Sequence, residues 1–90
     1  MKYVYILHSV EDDHFYCGST DDLRARLKKH NSGEVPHTRK FKPWTLKTYL
    51  GFSNPAQAVA FEKYLKSPSG RAFARKRLYP PLPATLSTRL

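Results

Sequence analysis

The run Tyr3-Val4-Tyr5-Ile6-Leu7 has an aromatic or aliphatic residue at every position, and this constrains the fold more than any other feature of the 90-residue chain. Aromatic and β-branched residues favour extended backbone. A strand with no polar face must be covered on both sides, which puts residues 2–8 in the centre of a sheet. Neighbouring strands follow from the sequence. Ser9-Val10-Glu11-Asp12-Asp13-His14 is short and polar, as a hairpin loop should be, and Phe15-Tyr16-Cys17-Gly18 returns antiparallel. Residues 44–52 alternate, with Leu46, Thr48 and Leu50, and supply a third strand.

Helices separate these strands. Thr20 is placed to cap a helix N-terminus, with Asp21 and Asp22 in a first turn where the dipole favours negative charge. That helix is expected to run through His30 and end near Asn31-Ser32-Gly33, with Gly33 as the residue just past the end. Residues 34–43 form a basic loop in which Pro36 and Pro43 argue against regular structure. Asn54-Pro55 is a cap followed by proline at the first helical position, opening a helix to about Lys66. Ser67-Pro68-Ser69-Gly70 is expected to break it, and residues 71–78 to form a last, basic helix. Pro80, Pro81 and Pro83 mark residues 79–90 as a Pro-rich mobile tail beyond a single domain of residues 1–78. The expected class is α/β, in the order β-β-α-β-α-α.

Charge narrows the partners. Sixteen Lys and Arg against seven Asp and Glu give a formal charge of +9, which favours polyanions. No apolar run is long enough to span a bilayer, and the N-terminus shows no signal-peptide pattern. A single cysteine cannot staple the domain, so a cytoplasmic, reducing compartment is expected. The seven carboxylates are too scattered for a cage built from carboxylates alone, and His8, His14, His30 and His37 lack zinc spacing.

Several residues are placed for phosphodiester chemistry. A helix turns about 100° per residue, so with Leu23 at zero, Leu27 falls at roughly 40°, His30 at about 340° and Arg26 at about 300°. Arg26 and His30 therefore border the buried face, while Arg24 and Lys28 lie on the other flank. A guanidinium leaning toward a sheet needs an anion, and a substrate phosphate fits; the plain alternative is an ion pair with Glu62, or snorkelling. Tyr3, Tyr5 and Tyr16 are ordinary strand residues, yet a phenol beside a cation or metal becomes a useful base. Glu62 is the only acid after Glu34. It either pairs with Lys66 one turn on or holds a largely hydrated Mg²⁺. Gly18 has no phosphate-loop signature and is expected simply to permit the exit into Thr20.

Taken together, the residues resemble the GIY-YIG nuclease family, and most closely its small stand-alone bacterial members. Tyr3-Val4-Tyr5 stands for the first motif and Tyr16-Cys17-Gly18 for the second. Arg26 falls ten residues after Tyr16, where the family has its arginine, and His30 one turn later. Glu62 corresponds to the family's metal-binding glutamate. His37-Thr38-Arg39, Pro43-Trp44 and Glu62-Lys63-Tyr64-Leu65-Lys66 also resemble the stand-alone group, so the likeness covers residues 2–78. Tyr3 replaces the glycine that opens the first motif, and Cys17 the isoleucine of the second; neither change touches the polar site residues.

The resemblance implies a three-stranded antiparallel sheet flanked by helices, and hydrolysis of DNA with one divalent metal, Mg²⁺ or Mn²⁺. It further implies that Tyr5 or Tyr16 helps deprotonate the attacking water and that Arg26 stabilises phosphoryl charge. Glu62 would hold the metal near the leaving oxygen, and His30 would orient the phosphate or assist proton transfer. Arg24, Arg39, Lys40 and Lys42 are expected to contact the nucleic-acid backbone with little sequence choice. The substrate stays open among a flap, a branch, a nick, a single strand and RNA. The main competing expectation is a non-catalytic module, or one dependent on a protein partner for targeting. A basic protein-interaction surface with a vestigial site ranks third.

Overall fold

The computed structural model describes residues 1–9 and 11–80. Strands β1 (Lys2–Ser9) and β2 (His14–Thr20) form a hairpin, followed by helix α1 (Leu23–Ser32) and a short 3-10 turn at Arg39–Phe41. Strand β3 (Thr45–Phe52), helix α2 (Pro55–Lys66) and helix α3 (Pro68–Arg77) complete the expected order. The sheet is three-stranded and antiparallel in the order β2-β1-β3, so the two-faced apolar strand is indeed central.

Each face of that strand has its own core. Val4 and Ile6 point to one side and pack with Ala58, Leu65 and Ala74 of α2 and α3. Tyr5 and Leu7 point to the other and pack with Trp44, with Leu23 and Leu27 of α1 over them. All four β1 side chains are at most 2% exposed. Burying an aliphatic residue to this extent contributes about 1.5–3 kcal/mol, so β1 carries much of the stability of a small domain.

Local signals set the ends of the elements, with two corrections. Asp22, not Thr20, caps α1: its side chain accepts from the Ala25 N–H at 3.1 Å. Thr20 instead accepts from the Asp22 N–H in a tight turn before the helix, so no acid lies within the first helical turn. Gly33 adopts φ 84° past the last turn, and the Gly33 and Glu34 N–H groups close on the carbonyls of His30 and Lys29. Asn54 caps α2 through the Ala56 N–H, as expected.

Residues 67–70 do not merely break a helix; they start α3. Ser67 Oγ accepts from the Gly70 N–H at 3.2 Å, and Pro68 occupies the first turn. Gly70 is required there because a Cβ would overlap the Tyr64 carbonyl of α2. Tyr79 is where the tail is expected to begin. Its ring stacks on Phe15 at 3.8 Å and its N–H bonds the Ala74 carbonyl. The remainder of the expected tail, residues 81–90, lies outside the described residues.

Candidate active site

Register across the β1–β2 hairpin puts Tyr5 directly opposite Gly18 and Leu7 opposite Tyr16. Opposed residues share a face, so both tyrosines lie on the α1 side. Gly18 makes room for the Tyr5 phenol. A Cβ at position 18 would come within 2.6 Å of the Tyr5 hydroxyl and 2.8 Å of Cζ. The strand-to-helix exit expected to explain this glycine falls instead at Thr20 and the Asp22 cap.

Above the phenol, Arg26 and His30 project from successive turns of α1. The Tyr5 hydroxyl lies 2.8 Å from His30 Nε2 and accepts from Arg26 Nε at 3.4 Å. His30 Nδ1 lies 2.7 Å from Thr38 Oγ1. With the Thr38 hydrogen on the Val35 carbonyl, 3.4 Å away, Nδ1 would carry the imidazole proton and donate to Thr38. Nε2 is then a bare lone pair, and the Tyr5 hydroxyl donates to it. A directed chain Tyr5–His30–Thr38 results.

Burial shapes its electrostatics. Desolvation holds the Tyr5 phenol above its usual pKa despite the bond from Arg26. Desolvation, with the nearby Arg26 charge, holds His30 below its usual value, so the imidazole is neutral at neutral pH. The bond to Tyr5 raises Arg26 further, and its charge is permanent. Among the described residues no carboxylate pairs with Arg26, which removes the expected alternative of an Arg26–Glu62 bridge.

His30 has no exposed surface and both ring nitrogens are engaged. Both nitrogens are thus held by protein partners, Tyr5 and Thr38. It touches the solvent-facing chemistry only through Tyr5. Tyr16 stands beside them, its ring 5.0 Å from that of His30 and 6.4 Å from that of Tyr5, and it is only half-buried.

Glu62 approaches from the opposite face of the sheet. Burial would raise its pKa, but bonds from Lys66 and the Ser19 hydroxyl outweigh it and keep the carboxylate ionised. Lys66 Nζ lies 2.7 Å from Glu62 Oε2, so the expected i,i+4 pair is formed. Ser19 adjoins Gly18, and the Glu62 charge is felt at Tyr5. Arg26 and Glu62 thus flank one short stretch of β2 from its two faces.

The four expected backbone contacts lie apart from this centre and are exposed. Arg24 lines a shallow groove on α1 with Leu27, Lys28, Asn31 and Ser32. Arg39, Lys40 and Lys42 belong to the turn region after α1, where the Lys42 ammonium lies over Gly33 at the negative end of the helix dipole.

Two residues with no expected role organise the site. Thr38 holds His30 Nδ1 at 2.7 Å. Asn31 holds the backbone N–H and carbonyl of Trp44, and the Trp44 indole donates to the Thr38 carbonyl at 2.9 Å. Together they fasten the loop that carries Thr38 over the end of α1.

Three comparisons bear on this arrangement. The GIY-YIG catalytic domain family matches residues 1–77. A UPF0213 protein of Clostridium perfringens is 39% identical over 67 residues, 73% of this chain and 71% of that protein. One from Streptococcus pneumoniae serotype 4 is 38% identical over 65 residues, so the match spans 71% of this chain and 65% of that relative's length, just under two thirds. The fold is similar to the solution NMR structure of a UPF0213 protein from Bacillus halodurans, with a TM-score of 0.53, 32% identity and 89% of each chain covered.

Proposed function

This chain belongs to the family of GIY-YIG catalytic domains, and on that premise we propose that it is an endonuclease hydrolysing DNA phosphodiesters with one divalent metal ion at Glu62. The observation that carries the reading is the chain Tyr5–His30–Thr38 with the unpaired cation Arg26 against the same hydroxyl. A phenol held above its normal pKa is a poor base by itself. Bonded to a neutral imidazole it becomes a relay: the Tyr5 oxygen takes a proton from the attacking water while its own proton passes to His30 Nε2. The charge is then on an imidazolium whose Nδ1–H is already held by Thr38. This assigns proton transfer to Tyr5 and leaves Tyr16 as a contact along the same edge.

Arg26 uses Nε to hold Tyr5, and this is its one side-chain hydrogen bond among those described. Its terminal nitrogens remain for phosphoryl oxygens, where charge builds in the transition state. Glu62 fits Mg²⁺ or Mn²⁺, since one ionised carboxylate suffices for an ion that keeps most of its waters and gains phosphate oxygens. Among the described residues no group of three or more His, Cys, Asp or Glu could enclose a metal, so a closed zinc-type site does not fit. When bound, the ion supplies charge neutralisation at the leaving oxygen. Arg24, Arg39, Lys40 and Lys42 hold the backbone.

One observation favours a second reading, a nucleic-acid-binding module that is inactive or needs a protein partner: Lys66 already neutralises Glu62. Labelled duplex, flap, branched and single-stranded DNA, and RNA, incubated with and without Mg²⁺ or Mn²⁺, separate the two. Metal-dependent cleavage that is lost in both Glu62→Ala and Arg26→Ala supports the nuclease and identifies its substrate. Tight binding without cleavage on every substrate supports the module.

A further inference from the structure

Beyond the catalytic group, a cleft of about 380 Å³ opens on the other side of β2, lined by Phe15, Tyr16, Cys17, Leu65, Lys66, Arg71, Arg75 and Tyr79. Its volume is in the range that takes a small organic ligand. Its chemistry is specific. Arg71 and Arg75 stand one turn apart on α3, and among the described residues neither has a carboxylate within ion-pair distance. Like charges at that spacing repel, and an anion between them would turn the repulsion into attraction. The third cation, Lys66, is occupied by Glu62.

Aromatic surface lies beside the arginines. Tyr79, Phe15 and His8 form a continuous column, with ring centroids 3.8 Å apart for Tyr79–Phe15 and 4.5 Å for Phe15–His8. Cations beside aromatic rings are the pattern by which unpaired nucleotides are held, phosphate on the arginine and base against the ring. Tyr16 lines the cleft and its ring stands beside His30, so this one edge-strand residue borders both the cleft and the candidate active site.

We infer that this cleft holds an unpaired nucleotide of a DNA strand, its phosphate on Arg71 and Arg75 and its base against the aromatic wall, next to the bond presented to Tyr5 and Arg26. The inference rests on the proposed function and extends it: the substrate carries a single-stranded segment at the cleft. A blunt duplex has no unpaired base to offer.

The test measures binding by fluorescence anisotropy in EDTA, where no cleavage intervenes, using labelled duplex DNA with a single-stranded overhang and the same duplex blunt-ended. Arg71→Gln/Arg75→Gln is compared with Lys76→Gln/Arg77→Gln, which removes the same charge from exposed positions of α3 that do not line the cleft. Thermal melting checks that both variants fold. The cleft variant is expected to weaken overhang binding on the order of tenfold. Its salt slope should fall by about 0.7 for each phosphate it no longer neutralises, with blunt-duplex affinity changing no more than in the control. Equal losses for the two variants, or for the two DNAs, would overturn the cleft while leaving the nuclease reading intact. A wild-type protein that binds neither DNA overturns both.

Discussion

Replacing Gly18 by alanine tests the link between strand register and chemistry. The added methyl would meet the Tyr5 hydroxyl at 2.6 Å, Cζ at 2.8 Å and Tyr16 Cε2 at 3.1 Å. Ordinary carbon contacts are about 3.5–4.0 Å, so the phenol must retreat by roughly 1 Å. It has nowhere to go without cost, because its hydroxyl is fixed to His30 and Arg26 and its ring is 2% exposed. Overpacking of this kind costs about 1–3 kcal/mol, against which alanine recovers at most about 1 kcal/mol by restricting the unfolded chain. For a domain of this size the net loss lowers Tm by about 4–8 °C per kcal/mol.

The same 1 Å displacement breaks the Tyr5–His30 alignment, and cleavage should drop on the order of 100-fold. Gly51→Ala is the matched control. Its nearest new contact is the sulfur of Met1 at 2.7 Å, the free end of a side chain 71% exposed, which can swing aside. That variant should melt within a few degrees of wild type and cleave normally. Calorimetry and cleavage rates on the two variants decide the matter. If Gly18→Ala matches Gly51→Ala in both, Tyr5 does not need its position over Gly18 and the relay argument fails.

Other consequences are quicker to check. Folded His30 titrates below its ordinary 6.5, first through burial and then through Arg26, so in the window between the two values the unfolded state binds more protons. Its stability contribution is full above about pH 6.5 and is lost on acidification through the lower folded value; His30→Gln should flatten that part of a Tm-against-pH curve. Cleavage that needs neutral His30 should hold through that window and lose rate only as pH falls through the lower folded value. Lys66→Met frees the Glu62 carboxylate and should lower half-saturating Mg²⁺ several-fold, about the worth of an exposed ion pair; an unchanged metal requirement would mean that Glu62 is not the metal ligand. Burial, followed by the Glu62 charge, pushes the Cys17 thiol up to about 11. Iodoacetamide at pH 7.5 should therefore alkylate it far more slowly than free cysteine, by mass spectrometry.

What the sequence revealed was what short-range physics determines. The two-faced strand, the Asn54-Pro55 start and the Gly33 stop depend on neighbours in the chain and stand where they were expected. The helical wheel likewise turned Arg26 and His30 toward the sheet. Misplaced details had rival local solutions. Thr20 and Asp22 are both competent caps, and only the turn closed by the Thr20 hydroxyl selects Asp22. Ser67-Pro68 carries the same start signal as Asn54-Pro55, but Gly70 masked it, and the reason for Gly70 is a carbonyl on another helix. Gly18 and Thr38 owe their importance to cross-strand register and to a loop folding back over α1, neither of which is written in local spacing.

The placement of the site on β2 also resolves a difficulty of the fold. In the order β2-β1-β3, β2 is an edge strand, and bare edges invite pairing with other chains. Here that edge is flanked by Arg26 and Lys29 together with Asp21 and Asp22 near Thr20, and by Arg71, Arg75 and the Glu62-paired Lys66 along residues 15–17. A second copy bringing the same edge would bring a second Arg71–Arg75 pair, and the two pairs would repel. A polyanion would be drawn to the same line of cations, past Gly18–Ser19, where Arg26 and Glu62 reach the strand from opposite faces. If the charges that would guide a phosphodiester to β2 also guard its edge, neutralising Arg71 and Arg75 should raise self-association as well as weaken DNA binding. Light scattering of the Arg71→Gln/Arg75→Gln variant at low salt measures this, and a variant as monodisperse as wild type would separate the protective role from the binding one.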